Sequence, residues 1–382
     1  MSLWPVGVRT RPGGARLRIG IDGRAFASPA PGIRRYVAGL VRGLLALGEP
    51  IDVVALGGRD SSALPPGTGH VEEPPHPPTN LGWTLVGIPR AARRARVDVI
   101  HAPAYTAPFW SLVPTVLTIH DVSYELHPQW YPYRRDWMRR AFYRGSAHAA
   151  SHILTVSAFS ASEISAAYRI PRERITVAPP GVDEAFQASE PGPAGELPAG
   201  VAPPFLLHVG DLHERRNLPM LVEAVLAARR DCGACAAVSL VLVGTDRGVG
   251  GALRALAAEA GEAAAIVQVS SVSDRQLRAL YRHAIAFVYP SLYEGFGLPL
   301  VEAMASGTPI VASGTASIPE VVGEAGLLLD PTVRDAWTGA IVDVVNDGGR
   351  RAEMREAGLR RVGQFTWART ARMTLDVYRR VA

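Results

Sequence analysis

Residues 284–312 read AIAFVYPSLYEGFGLPLVEAMASGTPIVA, and their reading decides the fold. Residues 284–289 are a short Ile, Phe, Val and Tyr run stopped by Pro290, the composition of a buried strand. A glycine-containing loop, Glu294-Gly295-Phe296-Gly297, follows, and the spacing predicts a helix over 298–306. Residues 309–312 then return to strand character. Strand, helix and strand in that order place two parallel strands in one sheet, with the helix on its face.

The same alternation extends in both directions. Before this unit, strand-like runs fall at 17–21, 51–56, 97–100, 115–119 and 153–156, with helical stretches at 34–47, 134–150 and 158–168. Residues 189–204, SEPGPAGELPAGVAPP, break the pattern with linker chemistry. Alternation restarts with strands at 205–209, 239–243 and 266–269 and helices near 218–230 and 274–283. Helical patterns at 335–346, 350–362 and 366–381 end the chain, and no tandem repeat is present. The expectation is an α/β protein of two doubly wound, Rossmann-like domains facing each other across a cleft. The predicted boundaries are 1–190 for the first domain, 191–204 for the linker, 205–363 for the second domain and 364–382 for a closing helix. Ligands of such open sheets bind beyond the strand C-termini.

Composition narrows the chemistry. All 40 basic residues of the 382 are arginine. A chain without lysine cannot supply a Schiff-base lysine, a P-loop lysine or the β3 lysine of a protein kinase. The Ala-, Gly-, Pro- and Arg-rich composition gives the lysine deficit a mutational origin. Two cysteines, Cys232 and Cys235, make no disulfide framework. They stand in a C-x-x-C without the second pair a Cys₄ zinc site needs, and we read them as incidental. No apolar run reaches membrane-spanning length and the N-terminus lacks an apolar signal core, so a cytoplasmic location is expected. Residues 1–190 hold 21 Arg against 15 Asp and Glu, and residues 191–382 hold 19 against 20, so +6 and −1 give the net +5. The excess charge of the first half points to an anionic partner.

Two segments carry chemistry. The loop feeding the helix at Leu298 offers backbone N–H groups and a positive dipole end to an anion. Glu294 and Glu302, eight positions apart, suit hydroxyls on either side of a diphosphate. On spacing alone a solvated helix with incidental acids stands equally well. The second segment, Val209-Gly210-Asp211-Leu212-His213-Glu214-Arg215-Arg216-Asn217, lies at the first strand-to-helix turn of the second domain. Adjacent guanidiniums there can clamp a diphosphate. Cations oppose the dipole at a helix N-terminus, so this placement favours a bound anion.

The E-x7-E pattern within EGFGLPLVEAMASGTPIVAS resembles the signature of retaining glycosyltransferases of family 4, which have the GT-B fold. Gly210 through Arg215-Arg216-Asn217 resembles that family's G-x-x-x-x-R-K-N turn, and Pro31-Gly32-Ile33-Arg34-Arg35-Tyr36 is similar to its G-I-G-R-Y loop. Ile119-His120-Asp121, Val156-Ser157-Ala158-Phe159-Ser160 and Pro180-Gly181-Val182-Asp183 extend the likeness over nearly the whole chain. Two departures stand out: Arg216 replaces the usual lysine, and the Gly32 loop lacks its second glycine.

The resemblance implies a set of roles. Glu302 would bind the donor's ribose and Glu294 the transferred sugar. Gly210, Gly32 and the backbone at Phe296, Gly297 and Leu298 would line sugar and phosphates, while Arg215 and Arg216 neutralise the leaving diphosphate. His120 would face the anomeric carbon, and Arg34 and Asp121 would serve the acceptor. Closing helices would pack back on the first domain. The implied reaction is metal-independent transfer with retention, from a nucleotide-sugar acting as substrate, with no cofactor. GDP-mannose is the first donor expected and a UDP- or dTDP-sugar the next, because Asp22-Gly23-Arg24, His101-Ala-Pro103 and Glu125-x-His127-Pro128 most resemble a mannosyltransferase-like branch that builds bacterial surface polysaccharides. The acceptor would be a glycan or a lipid-linked glycan.

Residues 131–144, YPYRRDWMRRAFYR, set five arginines among aromatic residues. Such a stretch suits peripheral contact with an anionic membrane, at its inner face, or a cleft-rim helix with one apolar face. Rival readings are a sugar-nucleotide hydrolase or epimerase on the same fold, and a basic nucleic-acid-binding protein. No nucleic-acid-binding signature supports the last, so no nucleic-acid partner is expected. The sequence is silent on oligomeric state.

Overall fold

Seven parallel strands build the first sheet: β1 (Leu17–Asp22), β2 (Ile51–Leu56), β3 (Gly69–Val71), β4 (Val99–Ala102), β5 (Thr115–Thr118), β6 (His152–Thr155) and β7 (Ile175–Val177). Their order is β3-β2-β1-β4-β5-β6-β7. Register is set by pairs such as Ile19 with Val53 on one side and Val99 on the other. Six parallel strands form the second sheet: β8 (Phe205–Val209), β9 (Ser239–Val243), β10 (Ile266–Val269), β11 (Ala286–Tyr289), β12 (Ile310–Ser313) and β13 (Gly326–Leu329), in the order β10-β9-β8-β11-β12-β13. Helices cover both faces of parallel sheets, which is why β4, β5, β11 and β12 are buried along their whole length and lack an alternation of apolar and charged residues.

The computed structural model describes residues 16–58, 63–72, 79–131, 135–187 and 196–382. It divides into two units, Met1–Gly181 with Thr366–Ala382, and Val182–Phe365. Each sheet reverses its strand order once, between β1 and β4 in the first unit and between β8 and β11 in the second. Those two reversals open the crevices where ligands of doubly wound sheets bind.

The boundaries differ from the sequence reading. The first unit ends at Gly181, ahead of the expected 190, because the next residues are held by the second unit. Val182 N–H donates to the Phe365 carbonyl at 3.1 Å. Phe186 is buried against Tyr281. Of the expected linker 191–204, residues 191–195 lie outside the described residues, and Glu196 is ion-paired with Arg275 at 2.7 Å. The strand expected at 97–100 runs from Val99 to Ala102, since Arg96 ends the Ile88–Ala95 helix in the left-handed region and Val97 N–H still reaches back to Ala92. β3, β7 and β13 escaped the sequence reading, as did the helices Ile88–Ala95 and Gly250–Glu259.

The Trp367–Val381 helix belongs to the first unit and packs on the Pro31–Ala46 helix. Glycines at 39 and 43 admit it: a Cβ at Gly39 would enter the Trp367 indole, and one at Gly43 would meet the Trp367 carbonyl. Thr370 Oγ1 donates to the Pro179 carbonyl at 2.6 Å, and Tyr378 Oη lies 2.6 Å from His101 Nδ1. Among the described residues, no helix is long and apolar enough to cross a membrane.

Candidate functional site

At the strand-order reversal of the second unit, the turns after β8 and β11 meet. Gly210 leaves β8 with φ 149°, and a Cβ there would stand 3.0 Å from the Arg216 guanidinium. Glycine therefore lets that guanidinium lie flat against the turn. A short 3₁₀ turn, Glu214–Arg216, then carries both arginines, and Asn217 in the left-handed region starts the Leu218–Asp231 helix.

Arg216 is 7% exposed. Its Nη1 donates to the Tyr289 hydroxyl, to Ser291 Oγ at 3.2 Å and to Glu294 Oε1, and its guanidinium lies 5.0 Å from the Tyr289 ring centroid. Its Nε is buried with no partner among the described residues. Arg215 Nη1 donates to the Tyr293 carbonyl at 2.9 Å and pairs with Glu294 Oε2 at 2.9 Å. The turn whose charge was expected to favour a bound anion is thus compensated by Glu294 in this state. Burial raises the Glu294 carboxyl, but Arg215 and Arg216 together pull it below its ordinary value, so it is ionised at neutral pH.

The loop continues into the Leu298–Ala305 helix through Gly297, at φ 98°. Pro299 carries no N–H and the Leu300 N–H donates to the Gly297 carbonyl at 2.9 Å, so it is the Leu298 N–H that stands at the positive dipole end beside the loop. Ser317 Oγ ties the loop down by donating to the carbonyls of Glu294 at 2.9 Å and Phe296 at 3.2 Å. Phe296 is buried against Phe365, with ring centroids 5.6 Å apart. Glu302, one turn along, is buried and accepts a hydrogen bond from the Tyr281 hydroxyl at 3.0 Å. The sequence brought Arg215, Arg216, Glu294, Phe296, Gly297, Leu298 and Glu302 to notice. It did not reveal Tyr281, Tyr289, Ser291 or Ser317, whose roles depend on strand adjacency. Among the described residues no three His, Cys, Asp or Glu side chains form a metal-binding group.

The first unit holds the other expected residues. His120 follows β5, and its Nε2 lies 2.9 Å from the Pro103 carbonyl, which fixes Nε2 as the protonated nitrogen. Its ring meets Tyr36 edge-on at 4.8 Å and Tyr105 at 6.0 Å. Burial lowers its pKa, only partly offset by Pro103 and Asp121. The Asp121 carboxylate is occupied by the N–H of Ser123 at 2.9 Å and its hydroxyl at 2.7 Å. Gly32 sits exposed in the first turn of the Pro31–Ala46 helix with open space around it, and Arg34 donates to the Ser28 carbonyl. Tyr36 orders this corner: its hydroxyl lies 3.2 Å from Thr118 Oγ1, which in turn lies 2.7 Å from His101 Nε2. In the basic stretch, Pro132, Tyr133 and Arg134 lie outside the described residues. Arg139 pairs with Asp136 and Arg144 with Glu125. Cys232 and Cys235 face each other as thiols with sulfurs 2.9 Å apart.

Known proteins match both units. Residues 31–186 match the family described as Glycosyltransferase Family 4, and residues 203–347 the family described as Glycosyl transferases group 1. The chain is 32% identical to an O-antigen chain mannosyltransferase B of Escherichia coli over 79% of this chain and 77% of that protein. It is 29% identical to a D-inositol 3-phosphate glycosyltransferase of Pseudarthrobacter chlorophenolicus over 76% of this chain and 72% of that one. Among solved structures, Anabaena HepE in complex with UDP and glucose superposes with a TM-score of 0.73, at 16% identity, over 95% of this chain and 99% of its own. The chain belongs to glycosyltransferase family 4 and has the GT-B fold.

Proposed function

We propose that this family 4 glycosyltransferase moves a hexose, mannose first, from a nucleotide-sugar to a glycan or lipid-linked glycan, with retention at the anomeric carbon and without a metal. The observation that carries the donor reading is the closure of Arg215 and Arg216 on Glu294 beside an unpartnered, buried Arg216 Nε. A guanidinium that keeps a desolvated donor unused suits a phosphate oxygen. Mannose and a polysaccharide acceptor are supported by the named activity of the Escherichia coli relative, and GDP-mannose is the first donor to try, UDP- and dTDP-sugars the next.

In the proposed reaction, Glu302 receives the ribose hydroxyls and Glu294 the hydroxyls of the transferred sugar. Arg215, Arg216 and the N-terminus of the Leu298–Ala305 helix take up the charge that develops on the departing diphosphate, a preorganised electrostatic role. The anomeric carbon–phosphate oxygen bond breaks while an acceptor oxygen bonds that carbon from the same face. The acceptor's hydroxyl proton passes to the leaving phosphate oxygen, so no enzyme nucleophile is consumed. His120, neutral and donating to Pro103 through Nε2, is assigned to the sugar's side of the reaction. Peripheral contact with an anionic membrane is supported by exposed Trp137 and Met138 beside the arginines of the Trp137–Ala149 helix, and by exposed Trp110, whose neighbour Phe109 packs on Phe142 of that helix.

A thermal-shift panel of nucleoside diphosphates and sugar nucleotides tests the donor. The matching nucleotide stabilises by about 2.7 kcal/mol at a hundredfold excess over Kd. No shift with any of them sinks the reading. Product anomeric configuration by NMR tests retention, and activity abolished by EDTA and restored by Mg²⁺ or Mn²⁺ overturns metal independence.

A further inference from the structure

The strand-order reversal of the first unit holds a cavity. It occupies about 510 Å³ beyond the C-termini of β1 and β4, within the size range of small-molecule sites. Arg24 and Asn80 stand on one wall, and Tyr105, Arg139 and Tyr143 on another. Pro103, whose carbonyl holds His120, also lines it. This cavity therefore adjoins the residue assigned to the transferred sugar.

Its charge is the informative feature. Arg24 turns its fork to Asp22, with Nε–Oδ1 at 3.1 Å and Nη2–Oδ2 at 2.6 Å. The remaining Nη1 donates to Asn80 Oδ1 at 3.3 Å, and Nη2 also reaches Thr84 Oγ1 at 3.2 Å. Asp22 is itself fixed by the Trp83 indole N–H at 3.1 Å. Arg139 makes a lighter pair, its Nε donating to Asp136 Oδ2 at 3.2 Å. Each cation of the wall is matched by a carboxylate in hydrogen-bond contact. Arg24 differs from Arg216, which keeps a buried Nε unused: its Nε, Nη1 and Nη2 are all engaged, so a phosphate dianion entering here would have to displace Asp22 or sit beside it and be repelled.

The aromatic wall favours a different ligand. Tyr105 is held at φ 57°, a conformation that costs a non-glycine residue energy and persists where its surroundings enforce it. Its N–H donates to the Thr118 carbonyl at 3.1 Å, and its ring lies 5.8 Å from that of Tyr143, tilted by 31°. A rigid aromatic face beside planar polar groups with fixed donors and acceptors matches a sugar ring, whose C–H face is apolar and whose hydroxyls lie at the rim.

We propose that this cavity binds the acceptor as an uncharged terminal sugar, with Asp22 masking Arg24 so that phosphorylated acceptors are refused. The proposal rests on the glycosyltransferase reading and adds the acceptor class and its residues.

Saturation-transfer NMR on the full chain, with saturating nucleoside diphosphate, tests it using methyl α-hexosides (manno, gluco and galacto) and the corresponding hexose 6-phosphates. At least one neutral glycoside binds about tenfold more tightly than its phosphate. Tyr143→Ala and Asn80→Ala, checked for unchanged melting, weaken the neutral glycoside by about tenfold or more. Asp22→Asn unmasks Arg24 and shifts the preference toward the phosphate, an effect that loss of packing alone does not produce. Tighter phosphate binding to the unaltered chain, no binding of either class, or neutral binding indifferent to Tyr143 and Asn80 each overturn the proposal. The nucleoside diphosphate thermal shift reads the second unit separately, so failure of the donor reading shows there and not in the glycoside series.

Discussion

Arg215 Nη1 and Glu294 Oε2 are 2.9 Å apart, and the other oxygen of the same carboxylate is taken by Arg216. One acid therefore holds both cations that the proposed donor diphosphate needs. On the proposed donor reading, binding exchanges this internal anion for the diphosphate and leaves Glu294 able to turn to the sugar's hydroxyls.

Glu294→Gln separates the two jobs. Nucleoside diphosphate binding stays equal or tightens, because the arginines are released, while sugar transfer falls by about a hundredfold or more. Glu294→Ala leaves two guanidiniums without their carboxylate and lowers stability by about 3–5 kcal/mol. Calorimetric titration and denaturant unfolding read the two effects. Loss of diphosphate affinity in the Gln variant would contradict the exchange.

His120→Ala lowers turnover by about a hundredfold or more but stability by only about 1–2 kcal/mol. Burial lowers its pKa, so the imidazole is neutral above the ordinary value of 6.5. The rate profile then shows no histidine ionisation between pH 7 and pH 8.5, and a rate that climbs through that window with a histidine-like midpoint contradicts this.

Acid weakens both units. Burial pushes His101 and His208 down to about 3, against 6.5 for the free side chain. Between those limits the unfolded chain takes up protons that the native one refuses, so stability falls as pH drops, by up to about 1.4 kcal/mol per pH unit for each group. Above 6.5 these groups contribute their full stability. Urea midpoints measured at pH 7 and pH 5 check the sign, and a midpoint that rises on acidification contradicts it.

Gly39→Ala drives a Cβ into the Trp367 indole. The helix Trp367–Val381 loosens at a cost of about 1–3 kcal/mol, and limited proteolysis cuts just before it. A variant as resistant as the parent shows that the indole has another place to go.

The βαβ unit from β11 to β12 was legible because an apolar run, a glycine loop and a helical period follow one another within 30 residues or so. β3, β7 and β13 were not, being three- or four-residue edge strands whose half-exposed side chains dilute the apolar signal. Arg215, Arg216 and Glu294 were each readable as chemistry. Their ion pairs were not, because they join turns 78 and 79 positions apart that only the adjacency of β8 and β11 brings together. The Tyr378–His101 hydrogen bond spans 277 positions and has no local trace.

Val182 and Phe365, the first and last residues of the second unit, are hydrogen-bonded to each other, and a Cβ on Gly181 would press on the backbone of Thr366 and Trp367. The second unit is thus an insertion whose two ends meet, threaded into a first unit whose own cut ends touch. Excising Val182–Phe365 and rejoining Gly181 to Thr366 through a brief Gly-Ser bridge leaves two separable modules. Each carries one strand-order reversal, so the proposed donor and acceptor sites can be assayed on independent polypeptides.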